Sequence, residues 1–272
     1  MSSKVTGGRG ANAATGYDAA LFVRLAEIED RHFWFAARSR VIASIMARAT
    51  SGLPPGYRVL EAGCGIGTIL RALEQTCRDG LVIGMDLFAE GLMHARRRSS
   101  CPVVQGDVHA LPFRPGFHAV GLFDVVEHLP NDDAVLRGLH RLLVPGGALV
   151  LSTPAHHCLW SHFDEAAHHY RRYEPAELRR KLIAAGYEVE YLTPCLATLF
   201  PLTWLWRRFA AMTARRPGDG HRARDLALRE LRVLPILNGC LRFLLDQELR
   251  LIAARRRLPF GTSLIAVCRK PR

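Results

Sequence analysis

The stretch VLEAGCGIGT at residues 59–68, followed by LVIGMDL at residues 81–87, decides the fold. Val59 and Leu60 end an apolar strand, and Gly63, Gly65 and Gly67 turn the chain into a helix beginning near Thr68–Ile69. Glycine suits this loop because the backbone must turn tightly and let a ligand approach without a Cβ between them. Asp86 closes a second apolar strand 19 residues after Gly67, where a carboxylate can take the two hydroxyls of a ribose. The two strands and their loop form a nucleotide-type site.

The loop spacing is Glu61-x-Gly63-x-Gly65-x-Gly67, which is not the dinucleotide pattern GxGxxG. In that pattern the loop and the helix N-terminus bind a pyrophosphate. Glu61 would repel a pyrophosphate but suits a ligand carrying an ammonium group. S-adenosylmethionine (SAM) has a ribose, an adenine, an ammonium and a sulfonium, and no phosphate. On these residues the chain resembles the class I SAM-dependent methyltransferases, over roughly residues 57–194.

Alternating strands and helices follow the breaker GLPPG at 52–56. Strands are predicted at Arg58–Glu61, Leu81–Leu87, Pro102–Gln105, His118–Leu122 and Ala148–Thr153. Helices are predicted at Thr68–Cys77, Ala89–Arg98 and Asp132–Leu143, the last capped by Asn131 or Asp132. Such alternation implies a doubly wound, mostly parallel sheet with ligand at the carboxyl ends of the strands. A helix from Glu174-Pro175 to Gly186, a sixth strand at Tyr187–Leu192 and a seventh at Ser263–Cys268 complete a seven-stranded α/β, Rossmann-like methyltransferase fold. Arg96-Arg97-Arg98 suits the dipole of a helix's last turn.

The resemblance implies cofactor contacts from Glu61, Gly63, Gly65 and Gly67 and from Asp86 and Leu87. It also implies that Asp107 accepts from the adenine amino group, that the Val108 amide donates to the ring, and that Asp124 contributes after strand four. Gly106-Asp107 read alone is equally an ordinary turn. DVVEHLP and LLVPGGALVLSTP resemble the stretches that follow these motifs in small-molecule methyltransferases, including the ubiquinone-pathway O-methyltransferases. Relatives commonly carry Phe-Asp where this chain has Phe117-His118, a departure at the strand's start, away from the cofactor end. Methyltransferases acting on exocyclic amines of nucleic acids typically carry an Asn/Asp-Pro-Pro-aromatic segment after strand four. This chain has Asp124-Val125-Val126-Glu127, so nucleic acid is not expected as a partner.

After strand five, residues 160–173 are dense in titratable groups (WSHFDEAAHHYRRY) and resemble the DE…HxRRY stretch of many small-molecule methyltransferases. His169 matches that stretch's histidine, and His169 or His128 could take a proton from a hydroxyl acceptor. The same residues could instead order a loop through salt bridges and caps. No repeat of ligand spacing supports a metal site.

Residues 1–16 are Gly/Ala/Ser-rich with no apolar core, which reads as a disordered tail rather than a signal peptide. A single domain then spans 17–272, opening on helices at 17–50 with Leu21, Leu25 and Ile28 on one face. Phe33-Trp34-Phe35 reads as core packing or as a lid over the cofactor, with Arg38 near the SAM carboxylate. Seven scattered cysteines without a CxxC pair read as thiols of a reducing, cytoplasmic compartment.

The net charge of +12 is concentrated in 195–260, which holds 13 arginines against 5 acidic residues. This helical insertion carries Trp204, Leu205, Trp206 and Phe209 beside Arg207-Arg208, and a stripe at Leu234, Leu237, Leu241, Leu244, Glu248 and Ile252. Tyr191–Trp206 offers only 16 uncharged residues with two prolines, short of the roughly 20 needed to span a bilayer. The insertion reads as an acceptor-site lid, a homodimer face, or an element docking on an anionic membrane. The expected activity is methyl transfer to a small-molecule or lipid-linked acceptor, most naturally at oxygen. The alternatives are a non-catalytic SAM-fold scaffold at a membrane surface and a nicotinamide-dependent oxidoreductase.

Overall fold

The computed structural model describes residues 33–161, 164–165, 167–213 and 235–272. The expected tail, the Leu21–Ile28 face, His162, Phe163 and Leu234 lie outside them. Strands β1 (Arg58–Ala62), β2 (Leu81–Asp86), β3 (Val103–Gln105), β4 (Phe117–Phe123), β5 (Leu143–Pro154), β6 (Glu188–Cys195) and β7 (Ser263–Arg269) form one sheet. Their order is β3-β2-β1-β4-β5-β7-β6. β1 to β5 pair in parallel, and β7 runs antiparallel between β5 and β6.

Successive residues of a strand point to opposite faces, and both faces here are covered. Val59, Ala119, Val150 and Val267 meet α1 (Phe33–Thr50), α2 (Thr68–Thr76), α3 (Ala89–Arg98) and α7 (Pro235–Ala253). Leu60, Val120, Leu151 and Ala266 meet α4 (Asp132–Leu142) and α5 (Pro175–Ala184). Burial on both sides explains why these strands read as continuous apolar runs. The Asn131 side chain caps α4 by accepting from the Ala134 amide at 3.3 Å, and Glu174 with Glu177 forms a capping box on α5.

The structure moves several boundaries. β5 starts at Leu143 rather than Ala148, because Leu143 pairs with Phe117 before a register shift carries the chain past Pro145-Gly146-Gly147. β6 runs on to Cys195, opposite Ser263. β3 omits Pro102, which has no N–H to donate, although its carbonyl accepts from the Gly84 amide. His118 accepts from the Arg58 amide at 3.1 Å and so ties β4 to β1 at the start of the sheet.

α6 (Phe200–Thr213) and α7 belong to the arginine-rich insertion. Among the described side chains of α7, Leu245, Glu248 and Ile252 are buried, whereas Leu244, expected on the inner stripe, is 46% exposed. Glu248 sets this roll of the helix. Its carboxylate accepts from the Leu196 and Thr198 amides in the turn before α6.

Candidate active site

The loop between β1 and α2 owes its shape to three left-handed glycines, at φ of 82°, 50° and 84°. A Cβ on Gly67 would lie 2.7 Å from the Ala95 backbone of α3, and one on Gly63 would lie 2.3 Å from Val125. Gly65 faces open space instead, with nothing within 4 Å of where a Cβ would stand. Two glycines therefore serve packing, and the middle one leaves room for a ligand.

Asp86 ends β2 beneath this loop. One carboxylate oxygen accepts from the Gly65 amide at 2.7 Å and the other from the Phe88 amide at 2.9 Å. Burial pushes its carboxyl above the usual range, against the pull of these amides. Each oxygen keeps further acceptor capacity, so the carboxylate shapes the loop and can still bind ribose. Leu87 follows it, and the Leu87 carbonyl accepts from Gln105 at 3.1 Å.

Glu61 is buried at the end of β1, and Asp107 and Val108 follow β3 beside Asp86, held by the Gly106 amide donating to the Asp86 carbonyl at 2.9 Å. Burial opposes ionisation of Asp107, but the amide and ring of His109 outweigh it and hold the carboxyl below the usual range.

Asp124 follows β4 in a left-handed conformation at φ 53°. The Ser152 hydroxyl donates to one of its oxygens at 2.9 Å, and Arg38 forms an ion pair with the other at 2.7 Å. Arg38, expected near the SAM carboxylate in the lid alternative, is engaged by Asp124 and lies over Trp34 at 5.6 Å, and its guanidinium keeps further donors. Trp34 itself packs against the core, in keeping with the packing alternative for the aromatic cluster. Successive strand ends therefore carry Glu61, Asp86, Asp107 and Asp124, an acidic rim that fits a sulfonium and an ammonium and repels a pyrophosphate.

The expected proton acceptors lie next to that rim. Val125, which abuts Gly63, leads into the turn carrying Glu127 and His128. His169 docks there from the segment after β5: its ring meets His128 edge-to-face at 4.7 Å, and the Tyr170 amide donates to the Glu127 carbonyl at 2.8 Å. His169 Nδ1 lies 2.9 Å from Asp164 Oδ1, with the side chains 7% and 0% exposed. An ionised carboxylate only accepts, so Nδ1 donates and Nε2 of the neutral ring carries the lone pair. Burial works against ionised Asp164, but the bond from His169 and the charge of Arg172, whose Nε donates at 2.8 Å, hold its carboxyl below the usual range.

His128 and Glu127 differ from this. Burial, then the neighbouring His169, pushes His128 down to about 3, so it is a poor base at neutral pH. Complete burial and the charge of Asp124 push Glu127 well above the usual carboxylate range. Glu127 Oε2 accepts from Thr153 at 3.1 Å, while its buried Oε1 has no hydrogen-bond partner among the described residues. One ligand-type atom each from Glu127, His128 and His169 lies within 4.8 Å of the others.

Sequence reasoning missed a second histidine–carboxylate pair. His156, just past β5 with φ 60°, places Nδ1 2.8 Å from Glu174 Oε2 and its ring 5.6 Å from Phe200 at the start of α6. Glu174 read only as a helix start, and its partner is 18 residues away, so no local spacing announced the pair.

A family model described as a methyltransferase domain matches residues 33–192, which contain the glycine loop, the acidic strand ends and both histidine–carboxylate pairs. The ubiquinone biosynthesis O-methyltransferase of Xanthomonas axonopodis pv. citri is 31% identical over 182 residues, covering 60% of this chain and 73% of that protein. The 2-phytyl-1,4-naphtoquinone methyltransferase of Thermosynechococcus vestitus is 32% identical over 153 residues, covering 50% and 64%. Another curated relative is matched over only 35% of its own length. Among solved structures, the phosphoethanolamine N-methyltransferase 2 of Haemonchus contortus, in complex with S-adenosylhomocysteine, superposes with a TM-score of 0.60 at 18% identity, covering 98% of this chain and 61% of that one. These relatives support neither the nicotinamide nor the scaffold alternative. By its sheet order, its glycine loop and the match across most of its length, the chain belongs to the methyltransferase-domain family and is a class I enzyme using S-adenosyl-L-methionine.

Proposed function

We propose that the protein methylates a hydroxyl of a small, lipid-linked acceptor and that His169 takes the hydroxyl proton. The observation that carries this reading is the buried Asp164–His169 pair beside the glycine loop. A hydroxyl must lose its proton as the methyl group arrives, whereas a neutral amine can attack without a base. Bound SAM supplies an electrophilic methyl: the bond from sulfur to carbon breaks, the bond from oxygen to carbon forms, and S-adenosylhomocysteine leaves. Asp164 holds the ring so that Nε2 receives the proton. Glu61, Asp86, Asp107 and Val108 orient the cofactor around Gly63, Gly65 and Gly67. Holding acceptor and methyl in line supplies much of the acceleration.

The test is His169→Ala in a turnover assay on prenylated phenols, with S-adenosylhomocysteine affinity measured alongside. Turnover is expected to fall by about 10²–10⁴ with affinity unchanged, and equal turnover overturns the assignment. His128→Ala should cost less, because a ring titrating so low takes little part as a base.

A second reading, of a divalent cation held by Glu127, His128 and His169, is favoured by the convergence of their ligand atoms and by the unpartnered Glu127 Oε1. A cation there would lower the acceptor's own pKa and replace the metal-free site expected from sequence. Elemental analysis of purified protein, and of Glu127→Gln, separates the two.

The lipid-linked acceptor is supported by exposed Leu202, Trp204 and Leu205 on α6 and Phe243, Leu244 and Leu251 on α7, near arginines. Among the described residues no helix is long and apolar enough to cross a membrane. Peripheral docking on an anionic, cytoplasm-facing membrane fits this surface, and the free thiols of Cys64, Cys77, Cys101, Cys158, Cys195 and Cys268 suit that compartment. Flotation with vesicles containing phosphatidylglycerol should carry the protein upward. A dimer in light scattering with no flotation would assign the surface to a second copy instead.

A further inference from the structure

A cavity of about 590 Å³ opens at the end of the sheet opposite the glycine loop. It lies where the C-terminal end of α1 (Arg48) meets the first half of β6 (Glu190, Tyr191), the last residue of β7 (Arg269) and the turn after α7 (Arg255, Arg257). Arg269 pairs with Ala148 at the amino side of β5, whereas the cofactor loop leaves the carboxyl end of β1, so the two sites do not overlap.

Four guanidinium groups line this cavity against one carboxylate. That carboxylate is engaged: Arg269 Nε donates to Glu190 at 3.2 Å. Arg269 is further committed to the carbonyls of Gly146 at 3.2 Å and Ala49 at 3.4 Å, and so serves the fold. Arg48 and Arg257 are exposed and Arg255 is half-buried, with its guanidinium 4.8 Å from the centre of the Tyr191 ring. The Nη1 of Arg255 is shielded from solvent and has no hydrogen-bond partner among the described residues. A shielded cationic donor of this kind costs stability unless an acceptor arrives.

The backbone points the same way. Arg255 sits at φ 57°, just past the end of α7, with its amide donating to Ile252 at 2.9 Å and the Arg256 amide donating to Leu251 at 2.9 Å. This is the helix-ending turn in which glycine is favoured and a side chain is strained. The Tyr191 hydroxyl donates to the Arg256 carbonyl at 2.6 Å and fixes the turn beneath the cavity. A strained arginine, stacked on an aromatic ring, is thus held with a bare donor among like charges. Burial and the charge of Arg48 also push the Arg255 guanidinium below its usual range.

We propose that Arg48, Arg255 and Arg257 form a binding site for a phosphate-class polyanion, separate from the cofactor site. Paired guanidinium N–H groups match phosphate oxygens two at a time. The group can come from a soluble phosphate ester or from a phospholipid headgroup, and the two are told apart by separate arms of one experiment.

Inorganic pyrophosphate is titrated into the full chain by calorimetry, and flotation is run with phosphatidylcholine vesicles with and without phosphatidic acid. Saturable pyrophosphate binding is expected, weakened about tenfold or more in Arg255→Gly and in Arg257→Ala. Arg257 is exposed, so its variant should fold normally. Arg255→Gly relieves the left-handed strain, so this variant should melt no lower than the parent while losing the anion. S-adenosylhomocysteine affinity should be unchanged in both, which keeps failure here distinct from failure of the methyltransfer reading. Flotation that depends on phosphatidic acid and is lost in both variants assigns a headgroup, and pyrophosphate binding without such flotation assigns a soluble ester. The proposal is overturned if the parent binds no pyrophosphate, or if both variants bind it as the parent does.

Discussion

The glycine loop and the histidine cluster beside it are built in different ways. Around Gly63–Gly67 the work is done by backbone: left-handed turns, amides that donate to Asp86, and a strand end beneath. Around His169 it is done by side chains brought from the turn after β4, from the segment after β5 and from the start of α5, such as Asp164 with His169 and His156 with Glu174. Backbone geometry restricts which residues fit a position, so it leaves a local pattern in sequence. Side-chain convergence restricts only where distant positions meet, and leaves much less.

The largest effect is expected where a buried charge would lose its partner. Asp164 receives His169, the Ser161 amide and Arg172, the last itself nearly fully buried. Asp164→Ala strands Arg172 and should cost about 3–5 kcal/mol in chemical denaturation. Asp164→Asn keeps the shape and should lose turnover with a smaller loss of stability. If both variants turned over like the parent, the acceptor side would not be organised by this carboxylate.

Next comes the loop itself. Gly67→Ala drives a Cβ into the backbone of α3 and should cost about 2–3 kcal/mol. Gly65→Ala meets nothing and should cost about 1 kcal/mol, chiefly from its left-handed backbone, yet lose S-adenosylhomocysteine affinity in calorimetry. A Gly65 variant that binds normally would mean that the open side of the loop is not the ligand side.

This contrast also explains what could be read from sequence. The ends of β1 and β2, the glycine loop and α3 were legible because apolar runs and turn chemistry are local. The pairing of Arg38 with Asp124 was not, because it joins α1 to β4 across 86 positions and no spacing rule links them. His169 and Asp164 both lie in the stretch matched by resemblance, but the bond between them is seen only once the segment is folded. His156 gave no signal, since a histidine after a strand is ordinary until Glu174 comes beside it.

A smaller effect tests the network behind the histidine cluster, where Tyr173 joins Asp132 to the Val126 carbonyl. Burial opposes ionisation of Asp132, but the Tyr173 hydroxyl at 2.7 Å and Lys181 at 3.0 Å outweigh it and hold the carboxyl below its usual value. A carboxyl depressed on folding stabilises the protein above its unfolded pKa and loses that contribution as pH falls through the folded value. Lys181 is raised by the same contact against the cost of burial, so its contribution is present at neutral pH and disappears only in strong alkali. Asp132→Asn should therefore flatten the acid limb of a stability–pH curve and leave S-adenosylhomocysteine affinity unchanged. An acid limb identical to the parent's would show that the network adds nothing to acid stability.

The smallest effect concerns α7, where the apolar stripe read from sequence and the face seen in the fold differ at Leu244 among the described side chains. Both contain Glu248 and Ile252, but Leu245 is buried and Leu244 is not. A stripe at helical spacing leaves the roll of a helix open by one position, about 100°. Here the roll is settled by Glu248, because its carboxylate can satisfy the amides of Leu196 and Thr198 only when it faces them. Leu244→Ala should therefore change stability by less than about 0.5 kcal/mol, while Leu245→Ala, which opens a cavity, should cost clearly more. The same Leu244 variant should weaken flotation with anionic vesicles if the exposed face of α7 meets lipid. A destabilisation equal to that of Leu245→Ala would instead place Leu244 in the core and return the helix to the roll its sequence pattern suggested.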